Sequence, residues 1–335
     1  MKKLLLAVLI AILSFAGCKK DDESVSIIGK WTVVSGGDGL VDSNLKYIII
    51  EPEKTYYLLN EFNYGIRGYQ TNLCQIINNQ ICFYIDNNFE IFNYIVQGNN
   101  LTLSNPSMQI ICIKEGDEPS KQDWIQSLEN LASVKAPKNS ESDLAFDGNF
   151  LWYGGFRNYS DPSYLYKINT TEMIVIDSLE VDNYVIGLEW VAGYFWTSSN
   201  GSESIFKVNT ATGNTVATSV EMGAWIYGIG YDGANLWCGS GNEFTLYKYN
   251  PDLNVVSDEF EIGCRPGGIS YINGYLYLCA SGKLNKCTTD PLQVVAAYDV
   301  PGSYINGIAS DGNDYWISVS PEDEEGNFNI MKVNL

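Results

Sequence analysis

The chain has 335 residues, enough for two domains, and carries 40 Asp and Glu against 20 Lys and Arg, a formal net charge of −20. It contains no histidine, which removes Ser-His-Asp and Cys-His catalysis, His-ligated zinc and facial-triad iron, and its acidity argues against nucleic acid as a partner. Aromatic residues at 13% together with 31 glycines point to a strand-rich chain with many tight turns.

Met1-Lys2-Lys3 precedes an apolar run over residues 4–15 and then Ala16-Gly17-Cys18, the three regions of an export signal spanning residues 1–17. The run is short for a membrane span. Small residues directly before a lone cysteine resemble the lipobox of bacterial lipoproteins. That resemblance implies cleavage before Cys18 and acylation of its thiol and amine with palmitate-type chains; the alternative is an ordinary secretory signal in which Cys18 is incidental. Lys19-Lys20-Asp21-Asp22-Glu23 resembles the lysine-plus-acidic export tag of Bacteroidetes surface lipoproteins, which implies a lipid-anchored protein on the outer face of the outer membrane. Read without the resemblance, residues 18–26 are a solvated charged tether whose task is reach. Seven cysteines remain, Cys74, Cys82, Cys112, Cys238, Cys264, Cys279 and Cys287; an odd number without a C-x-x-C reads as buried free thiols, with no metal site.

Residues 27–115 show short β-rich runs and no helical periodicity. Runs at 46–50 and 55–60, and at 89–96 and 101–104, flank turn-forming residues and predict successive hairpins. Ile28-Gly29-Lys30-Trp31 resembles the G-x-W opening of lipocalin-like domains, which implies a small β-barrel with Trp31 at its base and a closing strand near residues 108–113. Tyr56, Tyr57, Phe83, Tyr84, Phe89, Phe92 and Tyr94 read as core and rim aromatics; a β-sandwich is the alternative architecture. Residues 116–130 read as a linker with a short helix, capped at Ser120 with Asp123 three residues on, and with Trp124, Ile125 and Leu128 on its apolar face.

Residues 131–335 hold an internal repeat of about 40 residues. One anchor is Trp152, Trp196, Trp237, Tyr277 and Trp316; a second is Lys167, Lys207, Lys248, Lys286 and Lys332, each followed two residues later by Asn or Thr. Tight-turn dipeptides such as Asp147-Gly148 and Asp232-Gly233 precede the first anchor. Four short strands per repeat make the blades of a propeller. The last repeat stops after its third strand, and residues 131–135 stand before Pro137 as residues 295–299 stand before Pro301. The predicted fold is therefore all-β: a small lipocalin-like barrel followed by a five-bladed propeller closed by an N-terminal donated strand. The repeat resembles the Y-V-T-N and quinoprotein-like propellers, and five blades match tachylectin-type lectins, arabinan-cleaving hydrolases and plant-type glutaminyl cyclases; no specific motif of these carries over.

Propellers work on the face where the outer strand of one blade passes to the inner strand of the next. Three residues before the inner-strand glycine stand Ser140, Tyr184, Trp225, Arg265 and Tyr304, and the last four are the candidate ligand-binding set. Aromatic faces stack on sugar rings or planar side chains and Arg supplies a directed fork; the bland reading is that these rings plug the channel or pack between blades. Asp143 and Glu189 break rows otherwise occupied by small residues. As paired carboxylates they are the candidate catalytic residues of a His-free carbohydrate-active enzyme of the glycoside hydrolase type, and as single buried acids they need only backbone amides. Residues 322–325 read as a solvated loop without calcium-site spacing. The leading expectation is an outer-membrane surface lipoprotein, held by lipid, that binds an extracellular glycan or peptide without a cofactor; the rivals are that enzyme and a structural scaffold with an outer-membrane protein partner.

Overall fold

The computed structural model describes residues 27–335 except 38–39, 41–43, 53, 86–87, 115–123, 156–162, 200 and 322–326. Cys18, the charge run at 19–23, Ser120, Asp123 and the acidic loop at 322–325 lie outside the described residues. Among the described residues, regular structure is β-strand apart from one 3₁₀ turn at Asn63–Gly65, and no helix is long and apolar enough to cross a membrane.

Nine strands form the first sheet: β1 (Gly29–Ser35), β2 (Leu45–Ile50), β3 (Thr55–Glu61), β4 (Arg67–Leu73), β5 (Gln75–Ile77), β6 (Gln80–Ile85), β7 (Asn88–Gln97), β8 (Asn100–Ser104) and β9 (Gln109–Lys114). Each pairs antiparallel with its sequence neighbour except β4 with β5, and β1 also pairs with β9. The meander is thus a barrel left open along one seam. A single sheet disposes of the sandwich alternative. Period-two alternation sends Tyr56, Leu58, Phe83, Phe92, Leu101 and Leu103 inward around the fully buried Trp31, whose indole N–H donates to the Ile27 carbonyl at 2.8 Å. The barrel is filled by its own side chains.

Five blades follow. The first is β12 (Leu144–Phe146), β13 (Leu151–Gly155), β14 (Ser163–Asn169) and β15 (Ile174–Val181); the second is β16 (Leu188–Val191), β17 (Tyr194–Ser198), β18 (Ile205–Asn209) and β19 (Thr215–Thr218). The third is β20 (Ile226–Tyr231), β21 (Leu236–Ser240), β22 (Thr245–Asn250) and β23 (Val255–Glu261). The fourth is β24 (Pro266–Ile272), β25 (Tyr275–Ala280), β26 (Lys283–Thr289) and β27 (Leu292–Asp299), and the last has β28 (Ser303–Ser310), β29 (Tyr315–Pro321) and β30 (Asn329–Val333). Inner strands β12, β16, β20, β24 and β28 pack in a ring, β28 returning to β12. The ring is sealed as the repeat arithmetic required, by β11 (Asn130–Lys135), which pairs antiparallel with β30 and supplies the missing outer strand.

The two sequence anchors are one physical device. Trp152 stands opposite Lys167, Trp196 opposite Lys207, Trp237 opposite Lys248, Tyr277 opposite Lys286 and Trp316 opposite Lys332. The ammonium lies over an aromatic ring in four blades, for example 3.8 Å from the Phe150 centroid and 5.2 Å from that of Trp237. In the fifth, Lys332 instead pairs with Asp314 at 2.6 Å. The turn aspartates accept the indole N–H of Trp152 and Trp237 at 2.7 and 2.9 Å, and Asn169, Asn209 and Asn250 accept two amides each in the turn that follows. These recurring residues are therefore spent on the scaffold.

One expectation fails. Over residues 124–130 there is no helix; β10 (Gln126–Ser127) is extended and pairs in parallel with β27, giving the fourth blade a fifth strand. Trp124 and Ile125 are both buried, in a cluster with Ile49, Leu59 and Tyr69 of the barrel and Ala297 of the blade. A segment covered on both sides needs no helical stripe, and the open blade edge satisfies its backbone. The barrel docks at the same place: Ile66 enters the core of the fourth blade, Arg67 N donates to Asn285 Oδ1 at 2.9 Å, and the Tyr69 hydroxyl donates to the buried carboxylate of Asp299.

Candidate functional site

At Gly187 and Gly228 the inner strands approach so closely that no side chain fits. A Cβ on Gly187 would lie 2.0 Å from the Tyr227 carbonyl oxygen, and one on Gly228 would lie 1.8 Å from that of Gly267. This explains the row of small residues at the channel wall, and it makes the two acids that interrupt such rows conspicuous. Asp143 is 1% exposed. Its carboxylate crosses the channel: Oδ1 accepts from the amides of Leu144 and Ile308 at 2.9 and 3.2 Å, and Oδ2 from Ile269 at 3.1 Å. It thereby ties the first blade to the fourth and fifth. Glu189 ties the second to the third, accepting from Trp190 N at 2.8 Å and Tyr231 N at 3.1 Å. Burial pushes the Glu189 carboxyl up to about 8 against the amides that favour its charge. Burial likewise raises Asp143 well above its ordinary value, with the charge of Glu189 adding to the effect.

Two cavities flank this girdle. One, about 210 Å³, lies at the inner-strand turns and is lined by Glu189, Trp190, Tyr231, Tyr271, Asn273 and Ser310 among others. The other, about 220 Å³, lies where the inner strands begin, and Glu141, Tyr227, Arg265, Tyr304 and Asn306 face it. Asp143 lines neither. The two carboxylates that would have to flank one glycosidic bond are instead engaged by backbone amides, and only Glu189 reaches a cavity.

Of the predicted ligand set, the structure brings Arg265 and Tyr304 together in the second of these cavities. Trp225, 45% exposed, and Tyr184 stand outside its lining; Ser140 is buried, hydrogen-bonded to Ser142 and Tyr153. Register shifts at 226–229, 266–269 and 305–307 turn the inner strands just where they enter the channel. As a result the residues immediately before the glycine position, Ile186, Tyr227, Gly267 and Asn306, also line the cavity. Sequence reasoning missed this row; its mixed polarity, with Tyr227 and Asn306 among small and apolar neighbours, was the available signal. The Arg265 guanidinium carbon lies 4.1 Å above the Tyr227 centroid. Tyr304, 44% exposed, lies across Gly282, where an added Cβ would meet its ring at 2.3 Å.

The seven described cysteines are all free thiols, and all but Cys82 are buried. Burial raises each, Cys112 and Cys264 to about 12, which makes them poor nucleophiles.

No protein-family model and no curated protein matches the chain. Among solved structures it is similar to the glutaminyl cyclase of Myxococcus xanthus, with a TM-score of 0.51 and 13% identity over 63% of this chain and 97% of that one. It is also similar to the WD40 propeller domain of Doa1, with a TM-score of 0.40 and 10% identity over 91% of this chain and 93% of that one. At that identity the first likeness shows the propeller fold and nothing more. A propeller with a formed cavity at its axis is compatible with ligand binding.

Proposed function

We propose that the protein is an outer-membrane surface lipoprotein, anchored through Cys18, whose propeller holds an extracellular glycan or peptide in the cavity of Arg265, Tyr227 and Tyr304. The observation that carries the reading is the cavity itself: a concave site on the propeller axis where a guanidinium and two tyrosines converge. The anchor rests on the lipobox-like Ala16-Gly17-Cys18 and the charge run behind it. A partner protein in the same membrane has one supporting observation, the exposed Phe89, Ile91, Ile95, Ile111 and Ile113 on the outer face of β7 and β9.

The test is a glycan and peptide array probed with the full chain in detergent. Tyr304→Ala should weaken the ligand found by about 1–3 kcal/mol with the melting temperature nearly unchanged, and Trp225→Ala, outside the cavity, should cost less. Equal losses from both would move the site to the rim. Cys18→Ser should abolish palmitate incorporation and release the protein from the membrane fraction.

A further inference from the structure

We infer that the cavity selects a single carboxylate-bearing sugar residue at a chain end, with Arg265 as the carboxylate receptor; the inference rests on the ligand-binding reading above and narrows it. Only three arginines occur in the chain. Arg67 is spent at the barrel joint, donating to the Trp124 carbonyl at 3.1 Å, and Arg157 lies outside the described residues. Among the described residues Arg265 makes no ion pair, and its guanidinium lies over the Tyr227 ring. Stacking fixes the plane of a guanidinium while leaving its N–H edge free, the arrangement that receives a carboxylate bidentately.

Among small and apolar residues and the Ser281 hydroxyl, the rest of the lining offers acceptors and an aromatic face. Asn306 donates one amide N–H to Ser320 Oγ at 3.0 Å, leaving its carbonyl to accept and its second N–H to donate, and Glu141 brings a second acceptor. One cationic fork, two acceptors and the Tyr304 ring match a ring that carries one carboxylate, several hydroxyl donors and a C–H face. A peptide C-terminus supplies the carboxylate, and a prolyl or aromatic residue there a ring face, but not several hydroxyl donors around one ring. About 220 Å³ is below the range of pockets that take drug-sized ligands, so the cavity holds about one sugar residue and the remainder of a longer chain extends out of its open mouth. The net charge of −20 adds a second filter. A polyanionic chain meets long-range repulsion from the whole surface, whereas an isolated carboxylate needs only the local field of Arg265.

Calorimetric titration of the full chain in detergent tests this with three probes. These are oligosaccharides ending in glucuronate or N-acetylneuraminate, the same oligosaccharides with the carboxyl reduced to an alcohol, and a peptide pair ending in acid or amide. At least one sugar acid should bind, and reduction should weaken it at least about tenfold. Arg265→Ala should cause the same loss and make acid and reduced forms equivalent, while Arg265→Lys restores part of the preference. Tyr304-dependent binding of the reduced sugar that ignores Arg265 overturns the inference and leaves the ligand-binding reading standing. Binding of the acid peptide in place of every sugar acid overturns it in favour of a peptide terminus. No Tyr304-dependent binding of any probe overturns the inference, and the array then decides the ligand-binding reading by itself.

Discussion

Glu189 sets a pH dependence whose sign is opposite to that of a salt-bridged carboxylate. Its carboxyl is raised from 4.5 to about 8 in the folded chain, so between those values the folded state holds a proton that the unfolded state has released. The unfolded state binds fewer protons there, and stability falls as pH rises through the window. Asp143, raised by the same burial, contributes with the same sign. The melting temperature should therefore be highest near pH 5 and decline toward pH 9, and Glu189→Gln should flatten much of that decline. An unchanged slope in the variant would remove Glu189 from the account. Glu189→Gln also carries a direct cost at every pH, because each Glu189 oxygen accepts a backbone amide, so the slope and not the absolute stability is its readout; Asp143→Asn should be costlier still. Three backbone amides converge on the two carboxylate oxygens, so the amide nitrogen must face one of these donors. Urea unfolding should show a loss of about 1–3 kcal/mol, making the near-isosteric change costly without any catalysis being involved.

Closure of the ring is a property of one six-residue strand, β11. In an antiparallel ladder at an edge, consecutive residues alternate between donating to the partner strand and pointing away from it. Ser133 and Val134 stand opposite Met331 and Ile330, so one of the two N–H groups bonds to β30 and the other does not. Of Ser133→Pro and Val134→Pro, one should cost about 1–3 kcal/mol by leaving a β30 carbonyl without its donor, and the other much less; indifference to both would mean that the seam does not hold the ring. This strand was legible because the spacing to Pro137 repeats the spacing to Pro301. The blades were legible because Trp and Lys keep register, which a cross-strand pair must do. The segment around Trp124 was not: apolar residues at i, i+1 and i+4 fit a helical stripe equally well as an extended strand buried on both faces, and only the long-range neighbours decide. The site was half legible, since Arg265 and Tyr304 come from the chosen row, but the register shifts that bring in Tyr227 and Asn306 are three-dimensional events with no periodicity to betray them.

At the scale of the whole molecule, the barrel touches the wall of the cavity and is more than a spacer. Its strand β4 abuts the segment that turns from β25 into β26: Gly68 packs on Ser281, where an added Cβ would come within 2.7 Å. Next to it, Gly282 supports Tyr304. The buried ammonium of Lys283 lies 4.1 Å from the centroid of Tyr69 and 6.0 Å from that of Tyr304. The fourth blade announces this joint by breaking the repeat, with Asn285 where the others have Tyr166, Phe206, Tyr247 and Met331; Asn285 is the residue that receives the Arg67 amide. Two substitutions separate docking from cavity support. Tyr69→Phe keeps the ring over Lys283 and deletes the hydroxyl that donates to Asp299, so it should cost about 1.5–3 kcal/mol and lower hydrogen-exchange protection in both β4 and β26 while sparing the first two blades. Gly68→Val pushes on Ser281 from outside the cavity and should weaken ligand binding through the displaced 281–282 wall, although Gly68 lies outside its lining. If Gly68→Val loosens β4 yet leaves affinity intact, the barrel only carries the propeller; if affinity falls with it, the barrel holds the cavity in shape.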